Sequence, residues 1–461
     1  MMKRWLAAAA ALALALQLAG CSRAISQVES QLRPGAVSRS AQGLSGASAA
    51  SQSQDDSLPL AKIRIPSQEA GTAPQLAETG HTAVAASALY CRSQLSGQLL
   101  TAYDRVLTAA QQVRNFVDLR DLTLTFDQAD RVYYSVCDDH PELFYLSIYY
   151  SYRYDVKAPG RPILMVLNYF DGAVTDEVDD DLKLTAQADR QVIRQRRQQV
   201  EQAVEAFLKK VDPQATGYTK ELQAHDYVVA RTEYADAVAA SFLGAQSTQE
   251  LPDDDAFGLY GSLVEGKAVC EGYAEAFQYL LQRMGIACQI CTGQSKGELH
   301  EWNIVPLGGS YYHVDTTWDD TQYIADLGLN YYYYFNLSDR RISATHDISA
   351  GKKTARFGPP ACSDDSLWYY AQVGIPVDGQ GRLPDDEALS ARIEKRMKQG
   401  ARVLFLCFPE SWGEQQISDW AKNSDECWRA VDMVSQLGYG DDRDNFSYYV
   451  LGEESMLIIT L

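Results

Sequence analysis

Residues 261–320 read GSLVEGKAVCEGYAEAFQYLLQRMGIACQICTGQSKGELHEWNIVPLGGSYYHVDTTWDD. Cys270, Tyr273, Ala274, Phe277, Leu281 and Met284 recur at the spacing of one helical face, which predicts a helix turned toward a core. Gly285 is its natural stop. Ile286 to Thr292 then reads as a buried strand, Trp302 to Leu307 as a second and Ser310 to Asp315 as a third. The Gly308-Gly309 pair closes the last two into a hairpin. Helix followed by antiparallel strands makes this an α+β core.

The same stretch carries the chemistry. Cys270 opens the helix, where free backbone N–H groups and the positive end of the dipole favour a nucleophilic thiolate. A two-residue turn at 308–309 pairs residues whose numbers sum to 617, so Asp315 falls opposite Trp302. His300 shares the Trp302 face if the strand extends back to it, and is then a diagonal neighbour of Asp315. A helix packed across this hairpin would add Cys270 to complete a nucleophile, a base and an orienting carboxylate.

Three motifs, Gly-Lys-Ala-Val-Cys-Glu-Gly-Tyr-Ala at 266–274, His-Glu-Trp-Asn at 300–303 and His-Val-Asp-Thr-Thr-Trp-Asp at 313–319, closely resemble the transglutaminase-like superfamily. The core of that superfamily is similar to that of papain-type cysteine proteases. The resemblance is tight over about 60 residues and loose from about Leu222 to His346. It implies Cys270 as nucleophile, His300 as general base and acid, and Asp315 as the residue that orients the imidazole. The His-Asp-Tyr run at 225–227, the run from Asp139 to Tyr145 and the Tyr-rich tail at 332–339 look like those of bacterial exported proteins that carry this domain, in structural roles.

Around the triad, Trp302, Trp318 and Tyr260 are candidates to shape a substrate cleft. An oxyanion hole would use the backbone N–H of Cys270 and a second donor, for which Tyr260 is one candidate. Asn303 and His313 read as structural strand residues. Cys288 and Cys291, three apart in a strand, point to opposite faces, a poor arrangement for a shared metal. No metal and no cofactor are expected.

Outward from this core, the chain opens with Lys3-Arg4 and an apolar run from Trp5 to Ala19, too short to span a bilayer comfortably and suited to a signal peptide. It ends in Leu18-Ala19-Gly20-Cys21, which resembles the lipobox of bacterial lipoproteins. The resemblance implies a cut before Cys21 and a lipid on that residue, holding the exported protein at the membrane surface. From Ser22 to Ser57, ten of 36 residues are Ser with no apolar periodicity, so a flexible tether is expected. The expected organisation is a signal peptide at 1–20, lipidated Cys21 and tether at 21–85, an N-terminal α+β domain at 86–175, the transglutaminase-like domain with its preceding helices at 183–346, and a C-terminal α/β extension at 347–461.

In the N-terminal part, helices are predicted at 94–115 and, capped by Asp127, through Val136. Strands are predicted at Leu122 to Phe126 and, before an Asp171-Gly172 turn, at Ile163 to Tyr169. A long helix at 184–210 carries Arg190, Arg194, Arg196 and Arg197 on what reads as a solvated face, and Asp253-Asp254-Asp255 reads as a solvated turn. C-terminally, strands are predicted at 402–408, 446–451 and 456–461, and one helix at 417–437.

The 461 residues carry 61 acidic against 41 basic side chains, a formal charge of −20. Removing residues 1–20 takes away only Lys3 and Arg4 and leaves −22. Such a chain repels phosphate backbones, so nucleic acid is not an expected partner. The expected function is a surface-anchored enzyme that transfers acyl groups from a peptide or protein substrate at the cell envelope through Cys270. Hydrolysis is favoured over transamidation because it needs no second-substrate site. The alternative is a catalytically silent binding module on the same fold.

Overall fold

The computed structural model describes residues 89–155, 158–169, 187–244, 255–321, 324, 329–348, 357–439 and 447–461. The signal peptide, Cys21, the tether, the Asp171-Gly172 turn and Asp253-Asp254 lie outside these residues. No helix among the described residues is long and apolar enough to cross a membrane. The chain divides into two compact units, Met1–Asp320 with Asp339–Cys362, and Thr321–Ser338 with Ser363–Leu461.

The first unit is a mixed α+β structure. At its N-terminal end, helix α1 (Gly97–Gln111) and helix α2 (Phe126–Asp139) pack beside a sheet of β1 (Phe116–Asp118), β2 (Leu146–Asp155) and β3 (Ala158–Tyr169), in the order β1-β3-β2. The stretch expected as a strand from Leu122 to Phe126 is irregular chain up to Thr125 and opens α2 at Phe126, and the strand forms earlier, at β1. The helix is capped by Thr125 rather than Asp127. The Thr125 hydroxyl accepts from the Gln128 backbone N–H while the Gln128 side chain accepts from that of Thr125. This reciprocal pair satisfies two N–H groups at once, which Asp127 alone cannot do.

Helices α3 (Gln187–Leu208), α4 (Gly217–Arg231) and α5 (Asp236–Gly244) lead to α6 (Cys270–Arg283). The α3 arginines are not all solvated. Arg196 pairs with Asp255 and lies over the Tyr260 ring, and Arg197 donates to the Gln111 carbonyl. Opposite charge draws Arg196 and Asp255 together, so both leave the solvated roles their neighbours in sequence suggest.

Helix α6 ends as its sequence predicts, with Met284 as C-cap and Gly285 in the left-handed region at φ +78°. It packs across the antiparallel strands β4 (Gln289–Ser295), β5 (Glu298–Leu307) and β6 (Ser310–Val314). A short strand, β7 (His346–Asp347), pairs with the far edge of β4. The β5–β6 register runs from Asn303↔Val314 to Leu307↔Ser310, the pairing whose numbers sum to 617. Strand β5 begins at Glu298, so it includes His300. The β4–β5 turn is Lys296-Gly297, both with positive φ, and Gly308-Gly309 turns in the same way.

Two polar contacts fix α6 over the hairpin. The Asn303 amide donates to the Ala274 carbonyl, one turn along from Cys270, at 3.0 Å. The Tyr273 hydroxyl reaches Asp320 at 2.6 Å, just beyond β6. The far end of α6 is tied back by Gln278 and Gln282, which donate to the Asp138 and Asp139 carbonyls at the C-terminal end of α2. Those carbonyls have no partner within their own helix.

In the second unit, strands β8 (Ile375–Pro376), β9 (Val403–Cys407), β10 (Ser447–Leu451) and β11 (Met456–Thr460) lie in the order β8-β9-β11-β10. The single helix expected at 417–437 is two, Glu414–Asn423 and Asp425–Gln436. Ser424 separates them and caps the second through the Glu426 backbone N–H. The core of this unit is aliphatic with Trp420 and Phe408 at its edge. The Tyr-rich run belongs here. Tyr332 stacks on Tyr369, and the Tyr333 carbonyl accepts from Trp368.

Candidate active site

Each of the three residues comes from a different element. Cys270 is the first residue of α6 and is half-buried. The N-cap, Val269, has an apolar side chain and makes no side-chain cap hydrogen bond to the first turn of α6. An apolar N-cap costs about 1 kcal/mol relative to Ser or Asp and leaves the first-turn N–H donors for another acceptor.

His300 lies on β5, 7% exposed. Its Nε2 meets Asp315 Oδ2 at 2.7 Å, and Cys270 lies near enough to the same ring to add to its proton affinity. Burial alone would lower the imidazole pKa. The Asp315 charge and hydrogen bond, with a further contribution from Cys270, more than offset it and raise the group to about 10. Asp315 is fully buried at the end of β6 and caps the helical turn Thr316–Asp319. Its Oδ1 accepts the Thr317 and Trp318 backbone N–H groups at 3.0 and 3.1 Å. Burial would push this carboxyl up, but the two imidazoles at Oδ2 hold it well below the usual carboxylate range.

The second imidazole is His346, on β7. Its Nε2 lies 3.0 Å from Asp315 Oδ2, and its Nδ1 lies 2.8 Å from the Thr345 hydroxyl. Burial keeps its pKa below the ordinary histidine value despite the neighbouring carboxylate. Sequence reasoning did not single out this residue. The available signal was a lone His next to a hydroxyl at the end of the motif-bearing stretch.

Aromatic rings enclose the pair. Trp302 stacks against His300, centroids 5.9 Å apart at 18°, and Trp318 meets it edge-on at 6.3 Å. The Lys296 ammonium sits 4.3 Å from the Trp318 centroid. Tyr260, the third cleft candidate, is placed differently. It stacks on Phe144 and its hydroxyl donates to Gln199. Asn303 serves the packing of α6. His313 is a strand residue whose Nδ1 accepts from the Trp302 indole at 2.9 Å and whose Nε2 faces Asp339 at 2.9 Å.

Among the described residues, two side-chain groups have the composition of a metal site, His300 with Asp315 and His346, and His313 with Asp339 and Cys362. In the second, the indole N–H occupies Nδ1 of His313, which puts the ring proton on Nε2, the nitrogen an ion would need. In the first, both Nε2 atoms already meet Asp315. The described cysteines are all thiols.

Residues 205–316 match the family model described as the Transglutaminase-like superfamily. They include Cys270, His300 and Asp315, and the first unit thus carries a transglutaminase-like domain. Among solved structures, one described as "Crystal structure of a TGase" is 16% identical over 34% of this chain, with a TM-score of 0.23. The match spans 41% of that structure's own length. No curated protein matches the chain.

Proposed function

We propose that this protein is a cysteine-dependent acyl-transfer enzyme acting on peptide amide bonds at the bacterial cell envelope, anchored through lipid on Cys21. The observation that carries the reading is one imidazole, His300, hydrogen-bonded to a buried carboxylate and influenced by the Cys270 thiol at the start of α6. A transglutaminase-like domain over these residues agrees with it.

With Nε2 committed to Asp315, Nδ1 is the nitrogen left to exchange a proton with Cys270. The sulfur gives its proton to Nδ1 and attacks the amide carbonyl carbon. The carbonyl oxygen takes up negative charge facing the first-turn N–H groups of α6. The C–N bond breaks as His300 returns the proton to the leaving amine, and a thioester remains on Cys270. Water, or an amine, then gives a proton to His300 and attacks the thioester, which releases the acid or a new amide and restores the thiol. Asp315 fixes the ring and stabilises its charged form. Hydrolysis is the preferred outcome, since it requires no second-substrate site.

The test incubates full-length protein with a peptide mixture, with and without a fluorescent primary amine, beside Cys270→Ala. New peptide termini from the native chain alone identify a hydrolase, and amine incorporation identifies a transferase. Native and Cys270→Ala chains that are equally inert would sink the enzyme reading in favour of a binding module. Cys21→Ala is expected to leave the membrane fraction without losing the activity.

A further inference from the structure

Sequence and family resemblance account for three of the groups at this site but not for the fourth. The Asp315 carboxylate is ionised and offers about four lone-pair positions. All four are filled, by two backbone N–H groups at Oδ1 and two imidazoles at Oδ2. A carboxylate only accepts, so the Nε2 atoms of both His300 and His346 must carry protons. His346, once neutral, then has a bare Nδ1, and the Thr345 hydroxyl 2.8 Å away is placed to donate to it. The chain Thr345 to His346 to Asp315 therefore has one consistent set of proton positions. It mirrors the arrangement in which a metal-bound or catalytic imidazole is oriented from behind by a second hydrogen bond.

The geometry points to His346 as a positioning residue for the reaction: by donating its Nε2–H to Oδ2, it holds the Asp315 carboxylate in the orientation that aims His300 at Cys270. This rests on the enzyme reading above. The packing agrees with it. Trp302 and Trp318 each meet the His346 ring edge-on, at 4.9 and 5.7 Å, so the ring that braces Asp315 is itself held by the two indoles that flank His300. Without His346, Oδ2 keeps one partner and the carboxylate can rotate about the two N–H groups at Oδ1.

Two variants separate positioning from mere packing. His346→Leu fills space and removes the donor, and His346→Gln places an amide N–H where Nε2 stood. In the full-length chain, Leu is expected to lower kcat by roughly 10- to 100-fold, a fraction of what general acid–base catalysis supplies, with KM little changed. Gln is expected to recover most of the loss. In protein with labelled histidines, the native chain should show two low-field Nε2–H signals and an unprotonated Nδ1 at His346. The His300 signal should exchange faster in Leu than in Gln. A Leu variant within about twofold of native kcat, or Leu and Gln equally impaired, overturns the inference. If the native protein cleaves and cross-links nothing, the enzyme reading fails by itself. The nitrogen signals and the rate at which iodoacetamide modifies Cys270, read by mass spectrometry, then decide the role of His346. Unchanged His300 signals and alkylation rate in Leu count against it.

Discussion

Asp315 carries its negative charge fully buried, and it is stable there because every lone-pair position is met. The same contacts set the acid–base behaviour of His300. A group raised to about 10 keeps the proton it takes from Cys270 through neutral pH and can pass it to the leaving amine until the pH passes that value. The alkaline limb of kcat/KM is therefore expected near pH 10. In Asp315→Asn the charge is lost and the amide can present its NH2 to Nε2, which disfavours the working tautomer. Activity is expected to fall by about 10³- to 10⁴-fold, with the alkaline limb moving toward the ordinary histidine value of about 6.5. An unmoved limb would show that another group sets it. Cys270, His300 and Asp315 could be located from sequence because helical spacing and the turn at 308–309 place them by local rules. His346 could not, since it reaches Asp315 from 31 residues away along a path no periodicity describes.

Among the elements, the hairpins show where local signals suffice. Gly308-Gly309 is a strong turn signal, and the pairing it implies is the pairing found. Lys296-Gly297 makes the same kind of turn with a lysine at φ +51°, a conformation Lys rarely adopts, so composition gave no hint of it. That turn extends β5 back to Glu298 and puts His300 on a strand, directly opposite Gly293. Gly293 has no room for a side chain. A Cβ there would lie 2.6 Å from the Trp302 ring and 2.7 Å from the Asp347 carbonyl. Gly293→Ala is expected to displace the indole beside His300 and to cost about 1–3 kcal/mol in urea unfolding, the usual range for overpacking. A variant with native stability and unaltered tryptophan fluorescence would show that the strand simply shifts. At Thr125 the misplaced cap has a related cause: both Thr125 and Asp127 are good N-cap residues, and only the reciprocal bond with Gln128 decides between them.

Across the whole molecule, several buried groups resist losing protons. His225, between Asp226 and Asp319, is lowered by burial but lifted more by the two carboxylates, to about 9. His300 behaves likewise at about 10, and burial pushes the Cys427 thiol up to about 11 and the Cys288 and Cys362 thiols higher as well. Each has a folded pKa above its unfolded value. Its stabilisation is complete below the unfolded pKa and is lost as pH rises through the folded one. The unfolding free energy is expected to decline from about pH 6.5 upward, and His225→Gln should flatten the first part of that decline. A stability that holds or climbs toward pH 9 would contradict these environments. The Tyr-rich tail shows what sequence could not settle at this scale. Residues 321–338 lie in the chain between two stretches of the first unit, yet they cluster with residues 363–461. Contiguity in sequence does not report which aromatic rings will pack together.

The Asp315 junction has a temporal side. Its partners come from β5, from the helical turn that follows β6, and from a two-residue strand that pairs with the edge of β4. None of these contacts forms within a single helix or turn alone, and the last requires a loop of about thirty residues to close. The helix that carries Cys270 can form early from local signals, but the groups around it come together only when distant segments meet. Reactivity is in that sense a late product of folding: an unfolded chain carries the thiol and both imidazoles, yet has nothing that aligns them.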